Sequence, residues 1–131
     1  LVRAAKIRNL DLIYLAAPTT TDARLVKIGQ STSGYLYYVS LKGITGSSKL
    51  DTADVKERIE HIRQYVSVPI CVGFGIRTAE DAAVISSTAD GSIVGTVLVS
   101  QIEALVNDTA KIPEALQSIL RPMRGAMDAN A

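Results

Sequence analysis

The 131-residue chain has one cysteine, Cys71, one phenylalanine and no tryptophan. A single cysteine excludes an internal disulfide and a cysteine-built metal cluster, and it fits a reduced, cytoplasmic setting. Without Trp and with one Phe, an aromatic platform on which nucleic-acid bases stack is not expected. Charge is nearly balanced, 14 Lys and Arg against 13 Asp and Glu, for a net +1. No run of like charges occurs, so neither a broad basic face for nucleic acid nor an acidic tail is expected. No apolar stretch reaches the roughly 18 to 20 residues of a membrane span. The opening LVRAAKIRNL carries three basic residues and no long apolar run, unlike a signal peptide. The first residue is Leu rather than Met, and the chain reads as an excised or processed piece of something longer.

What remains is globular: 47% hydrophobic and 21% charged residues, a composition that folds. Four short apolar runs stand out, residues 12–17 (LIYLAA), 35–40 (YLYYVS), 68–72 (VPICV) and 91–94 (GSIV). Continuous apolar runs of this length mark strands buried on both faces, as in a parallel sheet. Helical spacing fills the gaps. Residues 51–66 place Val55, Ile59, Ile62 and Val66 on one face, with Asp51 or Thr52 as cap. Residues 21–31 offer Leu25, Val26 and Ile28. Thr78 three residues before Asp81 approaches a capping box for a helix over 78–86. Two final helices are expected at 97–106 and 112–124, Pro113 suiting a first turn, and the tail 125–131 is expected to fray. Alternating strands and helices predict βαβ units and a parallel α/β sheet. Two architectures fit: an open doubly wound domain, or half of an eight-stranded barrel that needs about 250 residues.

The residues of chemical interest follow the strands. Gly43-Ile44-Thr45-Gly46, Gly73-Phe74-Gly75 and Gly95-Thr96 come after three successive strands. Glycine amides can approach a ligand closely, and amides in front of a helix N-terminus suit phosphate. The alternative is that these glycines only make tight strand-to-helix turns. Neither a Walker A nor a GxGxxG pattern is present, which disfavours nucleotide binding. His61 reads as a solvated helix residue and Cys71 as core. Tyr35 and Tyr37 share one strand face and Tyr38 the other, so a tyrosine could line a pocket or only pack. Lys42 could meet an anion or stay solvated. Glu80 and Asp81 belong to a first helical turn. Asp11 and Asp90 lie at the wrong strand ends for chemistry. No pair of catalytic carboxylates and no metal-ligand cluster emerges.

The segments APTT (17–20), YLYYVSLKGITGSS (35–48), VGFGIRTAEDA (72–82) and DGSIVGTVLV (90–99) together resemble the tryptophan synthase α-chain family, in order and over nearly the whole chain. The resemblance implies a TIM (β/α)8 barrel of which residues 1–131 are the carboxy-terminal half, strands five to eight of a single domain, the amino-terminal half being absent from this sequence. It implies a lyase of tryptophan biosynthesis, cleaving indole-3-glycerol phosphate by a retro-aldol reaction to indole and glyceraldehyde 3-phosphate. It implies a β-subunit partner that carries pyridoxal phosphate, with no cofactor in this chain. Carried over by position, Gly46, Phe74, Gly75, Gly95 and Thr96 would bind phosphate, Thr96 standing where the family has a serine and keeping the hydroxyl. Tyr37 and Ile93 would line the substrate pocket, and Gly43 and Thr45 would belong to a lid loop. The family's acid–base glutamate and its indole-orienting aspartate belong to the missing half, so this chain alone is expected to be inactive.

Two other readings remain open. One is a stand-alone half-barrel phosphate-binding module, whose bare strand faces and sheet edges would favour self-association. The other keeps the barrel but assigns another phospho-sugar isomerase or synthase, against which the YLYYVSLKGITG stretch speaks.

Overall fold

The computed structural model describes residues 2–39, 52–73 and 75–129, the side chains of residues 52 and 53 excepted. Its elements are α1 (Val2–Ile7), β1 (Tyr14–Ala16), α2 (Asp22–Ser31), β2 (Leu36–Val39), α3 (Thr52–Ile62), β3 (Ile70–Gly73), α4 (Ala79–Ser86), β4 (Gly91–Ile93), α5 (Thr96–Ala104) and α6 (Ile112–Asp128), a single 3-10 turn at Thr109–Lys111 preceding α6. The four strands form one sheet in the order β1-β2-β3-β4, and each neighbouring pair is parallel.

Sequential order decides the winding. Parallel crossovers are right-handed almost without exception, so strands laid down in chain order receive every helix on the same face. Burial agrees. Leu36, Tyr38, Ile70 and Val72 are buried on the sheet, and Ala16 joins them. They form one cluster with Leu25 and Ile28 of α2, Val55, Ile59 and Ile62 of α3, Ala82 and Ile85 of α4, and Met123 of α6. The alternate residues Leu15, Tyr37 and Cys71 are in register with one another on the opposite face. Among the described residues none of that face's strand residues joins the buried cluster, and Leu15 is 62% exposed on it. A doubly wound sheet would have helices on both faces, so that architecture is excluded.

The expected elements are present with shorter strands. The helix spacing of Val55, Ile59 and Ile62 holds, all three being buried. The capping box of α4 forms in full: Asp81 N–H donates to Thr78 Oγ1, and the Asp81 carboxylate accepts from Thr78 N–H. Pro113 occupies the first turn of α6. The caps expected from Asp51 lie outside the described residues.

Three expectations are corrected. Residues 2–7 form a helix that the sequence reading passed over. It ends on Asn9 at φ 51, with Asn9 N–H bonded to Lys6 O at 3.2 Å and Leu10 N–H to Ala5 O at 3.0 Å. This is the Schellman arrangement, in which asparagine tolerates the left-handed conformation. Residues 125–128 do not fray; α6 continues to Asp128, held by an Arg124–Asp128 ion pair and by Ser92 Oγ donating to Met127 Sδ at 3.4 Å. Cys71 is not core: it is half-buried on the open face, because position 71 alternates with the buried Ile70 and Val72.

Asp90 pins two strand starts together. Its Oδ2 accepts from Ile70 N–H at 2.7 Å and pairs with Arg63 Nη2 at 2.9 Å, while Asp90 N–H donates to Ile70 O at 3.0 Å. Burial works to raise the carboxyl pKa, but Arg63 and the Ile70 amide outweigh it and hold the value below the ordinary one. A lowered folded pKa stabilises above the unfolded value of about 4 and is lost as pH falls through the folded one. Asp90→Asn is therefore expected to cost about 1 kcal/mol near pH 7. The gap between variant and wild type should close as pH is lowered below about 4, as checked by urea unfolding at several pH values.

Candidate functional site

The carboxyl ends of the four strands share one side of the molecule, and Ala17–Thr20, Gly73, Gly75, Gly95 and Thr96 follow or end strands there. After β1 the chain turns sharply: Ala17 N–H donates to Thr20 Oγ1 at 2.9 Å, and Thr20 N–H donates to Ala17 O at 2.9 Å. This turn and the end of β2 enclose a cavity of about 370 Å³ lined by Leu15, Ala16, Ala17, Thr19, Thr20, Arg24 and Val39. The size is that of a small-ligand pocket. Four apolar residues, two threonines and one arginine line it, and among the described residues no carboxylate does.

Tyr37 and Ile93 both belong to the open face. Tyr37 is in register with Cys71, and Ile93 with Gly73. They do not line the cavity at β1 and β2. The Tyr37 phenol instead lies across Gly73, so closely that a Cβ built on Gly73 would overlap the ring and its hydroxyl. The first glycine of the GFG motif thus clears room for a side chain. The third, Gly75, adopts φ 48, a conformation that costs most other residues energy. Gly75 is exposed, and a Cβ on it would touch nothing.

At the end of β4, Gly95 stands before α5 and has no side chain with which to cap it. A Cβ at Gly95 would also meet nothing. Thr96, exposed, is the first residue of α5. The contrast with α4 is chemical. The α4 N-terminus is satisfied by its own Thr78 and Asp81, whereas the α5 N-terminus leaves its first amides and the positive end of its dipole open to an anion. Of the residues assigned to phosphate, Gly75, Gly95 and Thr96 therefore stand at strand ends with room around them. Phe74 and Gly46, and the lid residues Gly43 and Thr45, lie outside the described residues.

Other candidates resolve structurally. Burial first, and Asp90 second, push the Cys71 thiol pKa up, the opposite of an activated nucleophile. His61 is not simply solvated: its Nε2 lies 2.8 Å from Asp22 Oδ1, joining α3 to α2. Among the described residues no group of three His, Cys, Asp or Glu could hold a metal. No helix there is long and apolar enough to cross a membrane.

The sequence reading gave a pocket role to none of Leu15, Ala16, Ala17, Thr19, Thr20, Arg24 and Val39. The APTT segment marked the place, but nothing in it shows that the Ala17–Thr20 turn folds over a pocket.

A parallel sheet with its helices packed on one face is an α/β architecture of the kind found in barrels. Comparison with known proteins narrows it: residues 1–128 match the profile of the family described as tryptophan synthase alpha chain, and the chain belongs to that family. It is 48% identical over 129 residues to the tryptophan synthase alpha chain of Nitrosococcus oceani, covering 98% of this chain and 48% of that one. It is 46% identical over 124 residues to that of Marinobacter nauticus, covering 95% and 46%. The crystal structure of tryptophan synthase subunit alpha from Legionella pneumophila superposes with a TM-score of 0.82 at 35% identity, over 98% of this chain and 46% of that one. The chain thus spans about half the length of the relatives it matches.

The Tyr37–Gly73 contact predicts coupling. Gly73→Ala is expected to destabilise the chain by roughly 1–3 kcal/mol through overpacking. In a Tyr37→Ala background the same substitution should cost clearly less, a difference that a double-mutant cycle by chemical denaturation would measure.

Proposed function

We propose that this chain is strands five to eight of a tryptophan synthase α barrel and holds the phosphate-binding side of its active site. The observation that carries this reading is the uncapped N-terminus of α5, set behind Gly95-Thr96 at the end of β4, in a chain of this family. The amides of α5, the hydroxyl of Thr96 and the loop at Gly75 would grip the phosphate of indole-3-glycerol phosphate. Phe74 and Gly46 would complete the phosphate contacts, and Tyr37 and Ile93 would face the rest of the substrate from the open side of the sheet. The retro-aldol cleavage to indole and glyceraldehyde 3-phosphate needs a carboxylate to protonate the indole ring at the carbon being cleaved and to take the proton of the side-chain hydroxyl. The family's carboxylates fall in the other half of the barrel, so these 131 residues bind but do not cleave. Pyridoxal phosphate belongs to a β-subunit partner that would receive the indole, in the tryptophan-biosynthetic setting of the cytoplasm.

Two measurements test this. The 131-residue chain should release no indole from indole-3-glycerol phosphate, and turnover by it alone would sink the assignment of the carboxylates. Because a side chain at Gly95 meets nothing in the fold, Gly95→Asp should keep stability within about 0.5 kcal/mol. Binding of glycerol 3-phosphate, followed by calorimetry, should nonetheless fall at least tenfold.

A second reading draws on the exposed face around Leu15: a free-standing half barrel that buries this face against a copy of itself. Sedimentation of the 131-residue chain separates the two. A discrete dimer supports self-association; a stable monomer does not.

A further inference from the structure

The cavity at the end of β1 is held from outside by a helix that does not line it. On α3, Arg58 and His61 are one turn apart, and Tyr65 follows just beyond the helix, so the three present a polar stripe on one side. All three meet the junction between β1 and α2. Arg58 Nη2 donates to the carbonyl of Thr20 at 2.5 Å. His61 Nε2 lies 2.8 Å from Asp22 Oδ1, and the His61 and Tyr65 rings sit 5.3 Å apart. The hydrogen bond from His61 chiefly holds the Asp22 carboxyl pKa below its ordinary value, with Tyr65 and Arg58 adding to the effect. The guanidinium also stands close enough to Tyr38, in the core, to act on its phenol. Arg58 Nε is buried and has no acceptor among the described residues. A buried, incompletely satisfied guanidinium is costly, and here the bond to the Thr20 carbonyl holds it in place.

Thr20 is the residue on which the cavity wall turns. Its hydroxyl and its amide both bond back to Ala17, and Ala17, Thr19 and Thr20 line the cavity. The backbone between Thr19 and Asp22 is thus fastened to α3 at two points, a carbonyl and a carboxylate.

We propose that Arg58 is a positioning residue for this cavity: by clamping the Thr20 carbonyl it sets the Ala17–Thr20 turn, and with it the shape of the wall that a ligand meets. The ligand class is a small apolar or aromatic ring, from the apolar lining residues Leu15, Ala16, Ala17 and Val39. That part of the inference rests on the function proposed above, in which an indole moiety is the ring. Arg58 does not line the cavity, and its influence passes through the turn.

The test uses the 131-residue chain, its Arg58→Gln and Arg58→Lys variants, and indole as the probe. Amide exchange by NMR at Ala17 and Thr20 should quicken at least tenfold in Arg58→Gln, while amides of α6 keep their protection. Arg58→Lys, which retains a charged single-point donor, should fall between Arg58→Gln and the wild type. Should Arg58→Gln not fold, Arg58→Lys alone decides, with a several-fold rise confined to Ala17 and Thr20 expected. Unchanged exchange at the two amides, or an equal rise throughout the chain, would overturn the proposal. Indole should shift the Ala17 and Thr20 resonances of the wild type and bind at least threefold more weakly to Arg58→Gln. If indole shifts nothing in the wild type while the exchange result holds, the functional reading of the cavity fails and the clamp stands. If indole binds all three chains alike, positioning by Arg58 is refuted whatever the exchange shows.

Discussion

The handedness of the crossover connections governs everything else in this molecule. Four parallel strands added in chain order, each by a right-handed connection, put all their helices on one side. The sheet then has one face committed to burial, through Leu36, Tyr38, Ile70 and Val72, and one face free of that duty. The strand ends all point the same way, so every βα turn arrives on one rim. The packing of α2, α3 and α4 is therefore the foundation on which the rim is built.

The rim is made by unlike local solutions. The α4 N-terminus spends its polar groups internally through Thr78 and Asp81, while α5 starts on a glycine and spends nothing. The β1–α2 turn closes on itself through Thr20 and is then fastened from α3. Gly73 is a glycine for its neighbour's sake, and Gly75 for its own backbone. Three glycines of similar appearance in the sequence thus answer to three different constraints: clearance, a positive φ, and an N-terminus left uncapped.

Much of this was legible beforehand. Apolar runs located all four strands because both faces of a parallel strand favour the same residue types. The i, i+4, i+7 spacing of Val55, Ile59 and Ile62 located α3 and its buried side. Period two separated Tyr37 from Tyr38 correctly. The same pattern could not say that the face of Tyr37 and Cys71 would be open, since continuous hydrophobicity hides which face the helices take. The first helix escaped notice because its boundary depends on Asn9 in a left-handed conformation rather than on a glycine or proline. The tail was misjudged because small residues suggested fraying, whereas Ser92 and Met127 tie it to β4. The cavity was invisible because its wall rests on contacts between residues 38 positions apart, Thr20 and Arg58, which no local pattern encodes.

The ring of Tyr37 lying over Gly73 also bears on how such a chain can change over generations. The two positions behave as a single inherited character. A side chain at 73 is costly while the ring is in place, and loss of the ring lifts that cost. The order of substitution matters in consequence: the path on which the tyrosine shrinks first avoids the overlap, and the path on which the glycine grows first passes through it.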